Sequence, residues 1–278
     1  MFKIKKKDKS KKRAWEILDY AVNYFSTKYD DILSMILVGS LSNDSYIEGN
    51  GRDIDLIIIL TNEAPTAIKD RIKKDIKIIE DQFNKDIPFS KTIYILKEMM
   101  RPFNTEFELT LENKYILELP VELQRIHESG IVLYGNNIKS DLPIPSRDEY
   151  ITFDELGREF NKITLDNDPQ FKKSYDAFQK NLPIRLLVQS VLTTAFRHYF
   201  YATGKTCCNK HLIYSKMNND VPNYKYLKML EVASLIKTNP NKSYSESVIN
   251  LLKSDYKEMR KWFKGGYEVY EVPLRISD

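Results

Sequence analysis

Ile36-Leu37-Val38-Gly39-Ser40, followed after a polar loop by Arg52-Asp53-Ile54-Asp55-Leu56-Ile57-Ile58-Ile59-Leu60, is the stretch on which the reading of this chain turns. Both apolar runs are rich in Ile, Leu and Val, as strands buried on both faces are. Side chains alternate along a strand, so Asp53 and Asp55 point to one side, a few ångströms apart. Like charges that close repel, and a divalent cation is what holds both ionised. Hard carboxylate oxygens suit Mg²⁺. Gly39 permits a tight turn and brings backbone N–H groups close to an anion, and the Ser40 hydroxyl can donate to a phosphate oxygen. The stretch reads as a site for a metal and a nucleotide.

Outward from it, Ser10 to Phe25 forms an amphipathic pattern with Ala14, Ile17, Leu18, Ala21, Val22 and Phe25 on one face, which predicts a helix packed on a sheet. The strands are expected at 33–38 and 55–60. After Pro65, Ile68, Ile72, Ile76, Ile79 and Phe83 recur at helical spacing, with Lys and Asp on the outer face. Lys91 to Leu96 reads as a third strand, Pro120 to Ser129 as a short helix ended by Gly130, and Ile131 to Gly135 as a fourth strand. The alternation predicts a small mixed sheet with helices on one side.

Between Asn136 and Arg147 the composition changes, and the prolines of Leu142-Pro143-Ile144-Pro145-Ser146 favour an extended connector. Two domains are expected, 1–140 and 150–278. From Phe153 onward the periodicity is helical, with no internal repeat. Ile184 to Ala202 carries apolar residues at 184, 187, 188, 191, 192, 195, 196 and 199 and predicts the central helix of a bundle. It breaks at Thr203-Gly204 and resumes near Asn209-Lys210-His211. Further helices are expected near Tyr224 to Lys237 and Tyr244 to Phe263, and the tail from Tyr267 to Ile276 as an extended strand. The fold class is α+β: a mixed sheet with helices, followed by an all-α bundle.

A Gly-Ser turn leading through a loop to Asp-x-Asp at the start of the next strand resembles the polymerase-β-like nucleotidyltransferase superfamily, carried here by Gly39, Ser40, Asp53 and Asp55. A second stretch, Arg197-His198-Tyr199-Phe200-Tyr201-Ala202-Thr203-Gly204-Lys205-Thr206-Cys207-Cys208-Asn209-Lys210, is similar to the helical domain of streptomycin/spectinomycin adenylyltransferases. There an arginine on a helix, a Thr-Gly turn and a lysine opening the next helix reach the triphosphate. The resemblance implies that Arg197 and Lys210 neutralise β- and γ-phosphate charge across a cleft between the domains. It also implies ATP as substrate, Mg²⁺ on Asp53 and Asp55 as catalytic residues, and a small hydroxylated acceptor such as an aminoglycoside-type antibiotic. Arg52 is a further phosphate contact or a holder of the loop.

The chain departs from the family pattern in one respect. Active members place a third carboxylate on the strand after the second helix, and Ser90-Lys91-Thr92-Ile93-Tyr94-Ile95 contains none. Glu98, Glu106 and Glu108 follow it and read as surface carboxylates. This departure supports an alternative class, a nucleotide-binding module of toxin–antitoxin type that modifies or binds a partner protein. The bundle lacks the Arg-to-His spacing of ribonuclease-type members, which disfavours a toxin activity.

Composition excludes other classes. The 278 residues carry 42% hydrophobic and 29% charged side chains, an ordinary globular balance. No run approaches the roughly 20 apolar residues of a membrane span. The net charge of +4 is concentrated between Lys3 and Arg13, which reads as a solvated terminus and gives little support to a nucleic-acid partner. Adjacent Cys207 and Cys208 suggest reduced thiols and a cytoplasmic location. Three scattered histidines argue against a zinc site, and His198 reads as a packing residue rather than a base. Either aspartate should be replaceable by asparagine with little loss of stability, because the pair repels.

Overall fold

The computed structural model describes residues 5–46, 53–84, 87–90, 92–107, 114–167, 169, 183–239 and 242–264. The chain divides into two compact units, Met1–Pro145 and Ser146–Asp278.

The first unit is built on a four-stranded sheet in the order β3-β2-β1-β4. Strand β1 (Ile32–Val38) pairs antiparallel with both β2 (Asp55–Leu60) and β4 (Ile131–Gly135), and β2 runs parallel to β3 (Thr92–Ile95). The parallel pair requires a crossover, which helix α3 (Ala67–Gln82) supplies after the single-turn helix α2 (Gly39–Ser42). Helix α1 runs over Lys5–Lys28, several residues beyond the apolar pattern at each end. Its Ala14, Ile17, Leu18, Ala21 and Phe25 join Ile68, Ile72, Ile76 and Ile79 of α3 in one core against Met35, Leu37, Ile54, Leu56, Ile58 and Ile93 of the sheet.

Alternation sends Ile36, Val38, Asp55, Ile57, Ile59 and Tyr94 to the other face, and helices are not confined to one side as the sequence pattern suggested. Helix α4 (Leu119–Ser129) lies against β1 there. Its end packs so closely that a Cβ on Gly130 would come within 3.0 Å of Ile36 Cγ2. The stripe Leu119, Glu122, Leu123 and Ile126 is buried.

The second unit is helical. Helix α5 (Arg147–Asn167) begins earlier than its apolar periodicity because Ser146 and Glu149 cap it reciprocally: Ser146 N–H donates to Glu149 Oε2 at 2.7 Å, and Glu149 N–H donates to Ser146 Oγ at 3.2 Å. Helix α6 (Ile184–Thr203) is the centre, with Leu187, Val188, Val191, Leu192, Ala195, Phe196 and Tyr199 buried. It contacts α7 (Ile213–Asp220), α8 (Leu227–Thr238) and α9 (Glu246–Lys264). Gly204 ends α6 in the left-handed conformation, φ +69°, with its N–H on Phe200 O. Tyr150 of α5 packs on Phe200 and Tyr201 of α6, ring centroids 5.0 and 5.8 Å apart. The expected strand in the tail lies outside the described residues.

Candidate active site

The β1–β2 register sets the site. Val38 stands opposite Asp55, so the residue after Val38 turns directly beside that carboxylate. Gly39 has φ +78°, a conformation side chains disfavour, and a Cβ there would lie 2.1 Å from Asp55 Oδ2 and 2.8 Å from an Arg125 guanidinium nitrogen. Glycine is therefore required twice, by backbone conformation and by space. Its carbonyl accepts from Ser42 Oγ at 2.9 Å and Asn43 N–H at 3.2 Å, which closes the turn. Ser40 is half-buried in it.

Ile54 is fully buried in the α1/α3 core, and its N–H and C=O bond to Pro88 O and Ser90 N–H, both at 2.9 Å. With Ile54 in that core, strand alternation turns Asp55 to the opposite side of the sheet. Asp53 is exposed, whereas the Asp55 side chain keeps only 18% of its exposure.

Two functional candidates were not singled out from sequence. Arg125 of α4 binds Asp55 Oδ2 through Nη2 at 2.8 Å and the Glu122 carboxylate through Nη1 at 2.9 and 3.1 Å. Burial pushes the Glu122 carboxyl pKa up; Arg125 pulls it back, and Asp55 adds to the rise. The available signal was a charge at position i+3 of an apolar stripe, since Leu119, Glu122, Leu123 and Ile126 form one buried helical face. A carboxylate in such a stripe demands a partner.

Strand β3 offers no acid. Thr92 and Tyr94 face the aspartate side, and Tyr94, fully buried, donates to Tyr115 O at 3.0 Å. Glu98 instead accepts from Lys69 Nζ at 2.7 Å and from Ile95 N–H at 2.8 Å, a structural bridge. Glu106 is exposed; Glu108 and Arg52 lie outside the described residues. Among the described residues no three histidine, cysteine, aspartate or glutamate side chains converge as a metal cage.

In the second unit Arg197 donates to Asp154 Oδ1 at 2.7 Å, and Tyr201 Oη donates to the other oxygen of the same buried carboxylate. Lys210 does not open a helix. It stands in a turn that precedes α7, because Asn209 takes the His211 N–H on its side chain at 2.9 Å and the Leu212 N–H on its carbonyl at 3.0 Å, a local alternative to helix. His198 Nδ1 meets Tyr224 Oη at 2.6 Å inside the bundle. Burial, with Arg197 beside it, brings its pKa down to about 3, so it packs as a neutral ring. Cys207 and Cys208 are free thiols, and no described helix is long and apolar enough to cross a membrane.

No protein-family model matches the chain, and no curated protein matches it in sequence. Among solved structures it is similar to spectinomycin adenyltransferase AAD(9) from Enterococcus faecialis, solved with ATP and spectinomycin. The likeness has a TM-score of 0.54 at 15% identity and covers 89% of this chain and 99% of that one. It is a likeness of fold: the mixed sheet with its helices, followed by the helical unit.

Proposed function

We propose that the protein is a metal-dependent nucleotidyltransferase that moves AMP from ATP to a hydroxyl of a small acceptor of the aminoglycoside-type antibiotic class. The observation that carries this reading is the contact of the Gly39 turn with Asp55, two residues after Asp53 in sequence, in a fold shared with an adenyltransferase.

The residues fit a divalent cation. Asp55 and Glu122 share the Arg125 guanidinium, so among these three groups the two carboxylates outnumber the cation when both are ionised. Asp53 and Asp55 supply the hard oxygen donors Mg²⁺ prefers. When bound, that ion lends Lewis acidity at the α-phosphate. Gly39 brings backbone N–H groups to the phosphates, and Ser40 adds a hydroxyl donor. Arg197 and Lys210 neutralise β- and γ-phosphate charge in this reading, with Arg52 as a secondary contact. The acceptor oxygen bonds to the α-phosphorus, the α–β bridge breaks, and pyrophosphate leaves. With no acid on β3, the hydroxyl proton passes to water. A cytoplasmic location follows from the nucleotide substrate and the free thiols.

The contact of Arg125 with Asp55 favours one second reading, since a cation already neutralises the key carboxylate. A nucleotide-binding module that modifies or holds a partner protein without small-molecule turnover would tolerate it. Transfer from α-labelled ATP with Mg²⁺ or Mn²⁺, offered amino-sugar antibiotics and a cell lysate, separates the two. Label on an antibiotic supports the first, and label on a protein the second. No label with wild type in either arm refutes transfer.

A further inference from the structure

We propose that Arg125 is the positioning residue of Asp55: anchored by the buried carboxylate of Glu122, its guanidinium holds Oδ2 and so presents Oδ1 to the divalent cation. The inference rests on the reading of Asp53 and Asp55 as the cation-binding pair.

The geometry is directional. Both Glu122 oxygens accept from Nη1, at 2.9 and 3.1 Å, and Nη2 is left to reach Asp55 Oδ2 at 2.8 Å. With Nη1 held by Glu122, the planar guanidinium aims Nη2 at one chosen oxygen of Asp55, so the contact selects Oδ2 and restrains the carboxylate. Gly39 closes the other side, since even a methyl there would come within 2.1 Å of Oδ2 and 2.8 Å of Nη2. Helix α4 itself is fastened to the turn: Ser129 Oγ lies 3.4 Å from both Ser42 Oγ and Arg125 O. Burial of Arg125 and Asp55, each about four-fifths covered, keeps water from competing for the contact. Outer partners of metal-binding carboxylates act in this way, orienting the donor without touching the ion.

The test exploits opposite signs. If Arg125 acts only as a counter-charge, its removal leaves Asp55 more available and tightens cation binding. If it positions Asp55, removal lets the carboxylate rotate and weakens binding. Mn²⁺ affinity of the nucleotide-free full chain, read by calorimetry and by Mn²⁺ paramagnetic resonance, decides between them. Arg125→Gln is expected to lose about 10- to 100-fold in Mn²⁺ affinity. Arg125→Lys, which keeps the charge without the fork, should fall between it and wild type, and Glu122→Gln should lose affinity through Arg125 alone. Thermal melts confirm that each variant is folded; should Arg125→Gln not fold, Arg125→Lys and Glu122→Gln carry the test. Unchanged or tighter Mn²⁺ binding in the folded Arg125 or Glu122 variants overturns the inference. Wild-type binding that is absent, or indifferent to Asp53→Asn, overturns the cation reading and this inference with it. Binding that Asp53→Asn weakens and Arg125→Gln does not overturns the inference alone.

Discussion

Gly39→Ala is the perturbation on which the site argument can most directly fail. An alanine at φ +78° bears the left-handed penalty, about 1–2 kcal/mol. Its methyl would also lie 2.1 Å from Asp55 Oδ2, well inside contact distance, so the carboxylate must swing away and the 2.8 Å ion pair with Arg125 opens. Both partners remain and are partly wetted, so the loss is smaller than for deleting one member of a buried pair, about 1–2 kcal/mol. Together these give roughly 2–4 kcal/mol in the first unit, a melting shift on the order of 5–15 °C for a domain of this size. Differential scanning calorimetry reads it, with Gly157→Ala as the matched control: Gly157 lies inside α5 with nothing within 4 Å of its Cβ position, so alanine there should be neutral or stabilise by up to about 1 kcal/mol. Transfer activity should fall with Gly39→Ala and persist with Gly157→Ala. A Gly39→Ala protein that melts with wild type and keeps its turnover would refute the placement of this turn against Asp55.

Asp53→Asn and Asp55→Asn should both abolish metal-dependent transfer, but their stabilities should part. Asp53 is exposed and its change should be nearly silent in a melt, while Asp55→Asn strips a counter-charge from Arg125 and should cost about 1–2 kcal/mol, contrary to the expectation from repulsion alone. Arg197→Ala should weaken ATP binding and also lower the melting temperature, because Asp154 is left as a buried carboxylate without its cation; Lys210→Ala should also weaken ATP binding, and unchanged ATP affinity in both would remove them from the site. His198 titrates at about 3 when folded against 6.5 for the free ring, so the unfolded chain binds more protons between those values. Stability of the second unit from this group is full above pH 6.5 and is lost as pH falls toward 3; His198→Gln should flatten that slope in acid melts.

The strands, α1, α3 and α6 were legible because their signals are local. A run of Ile57-Ile58-Ile59 between turn residues, or apolar residues recurring at 187, 188, 191, 192 and 195, needs no distant partner to be read. The start of α5 was missed because the periodicity begins later than the Ser146–Glu149 cap, although Ser-x-x-Glu is itself visible. Lys210 was misplaced because Asn209 can continue a helix or fold back on its own backbone, and only the surrounding contacts decide. Gly39 and Asp55 could be named but not joined, since their contact depends on the register that opposes Val38 to Asp55. Arg125 lies 70 positions beyond Asp55, and nothing local links the two.

The absence of an acid on β3 acquires a physical reading from the same face of the sheet. Tyr94 fills its position on that face completely, its ring packed 5.5 Å from Tyr115 and its hydroxyl committed to a carbonyl. Burial drives its pKa well up, and Glu122 reinforces the rise, so it stands as a neutral phenol against the anionic cluster. A carboxylate at that place would add a further negative charge beside Glu122, which already shares Arg125 with Asp55. The proposed two-aspartate cation site would then be supported from behind by Glu122 and Arg125. Replacing Tyr94 by Glu tests it: the added charge should not improve transfer and should destabilise the first unit by several kcal/mol, as an unpaired carboxylate in a dry position does. A stable Tyr94→Glu protein with raised turnover would show that the strand position, not the helix, is where the third acid belongs.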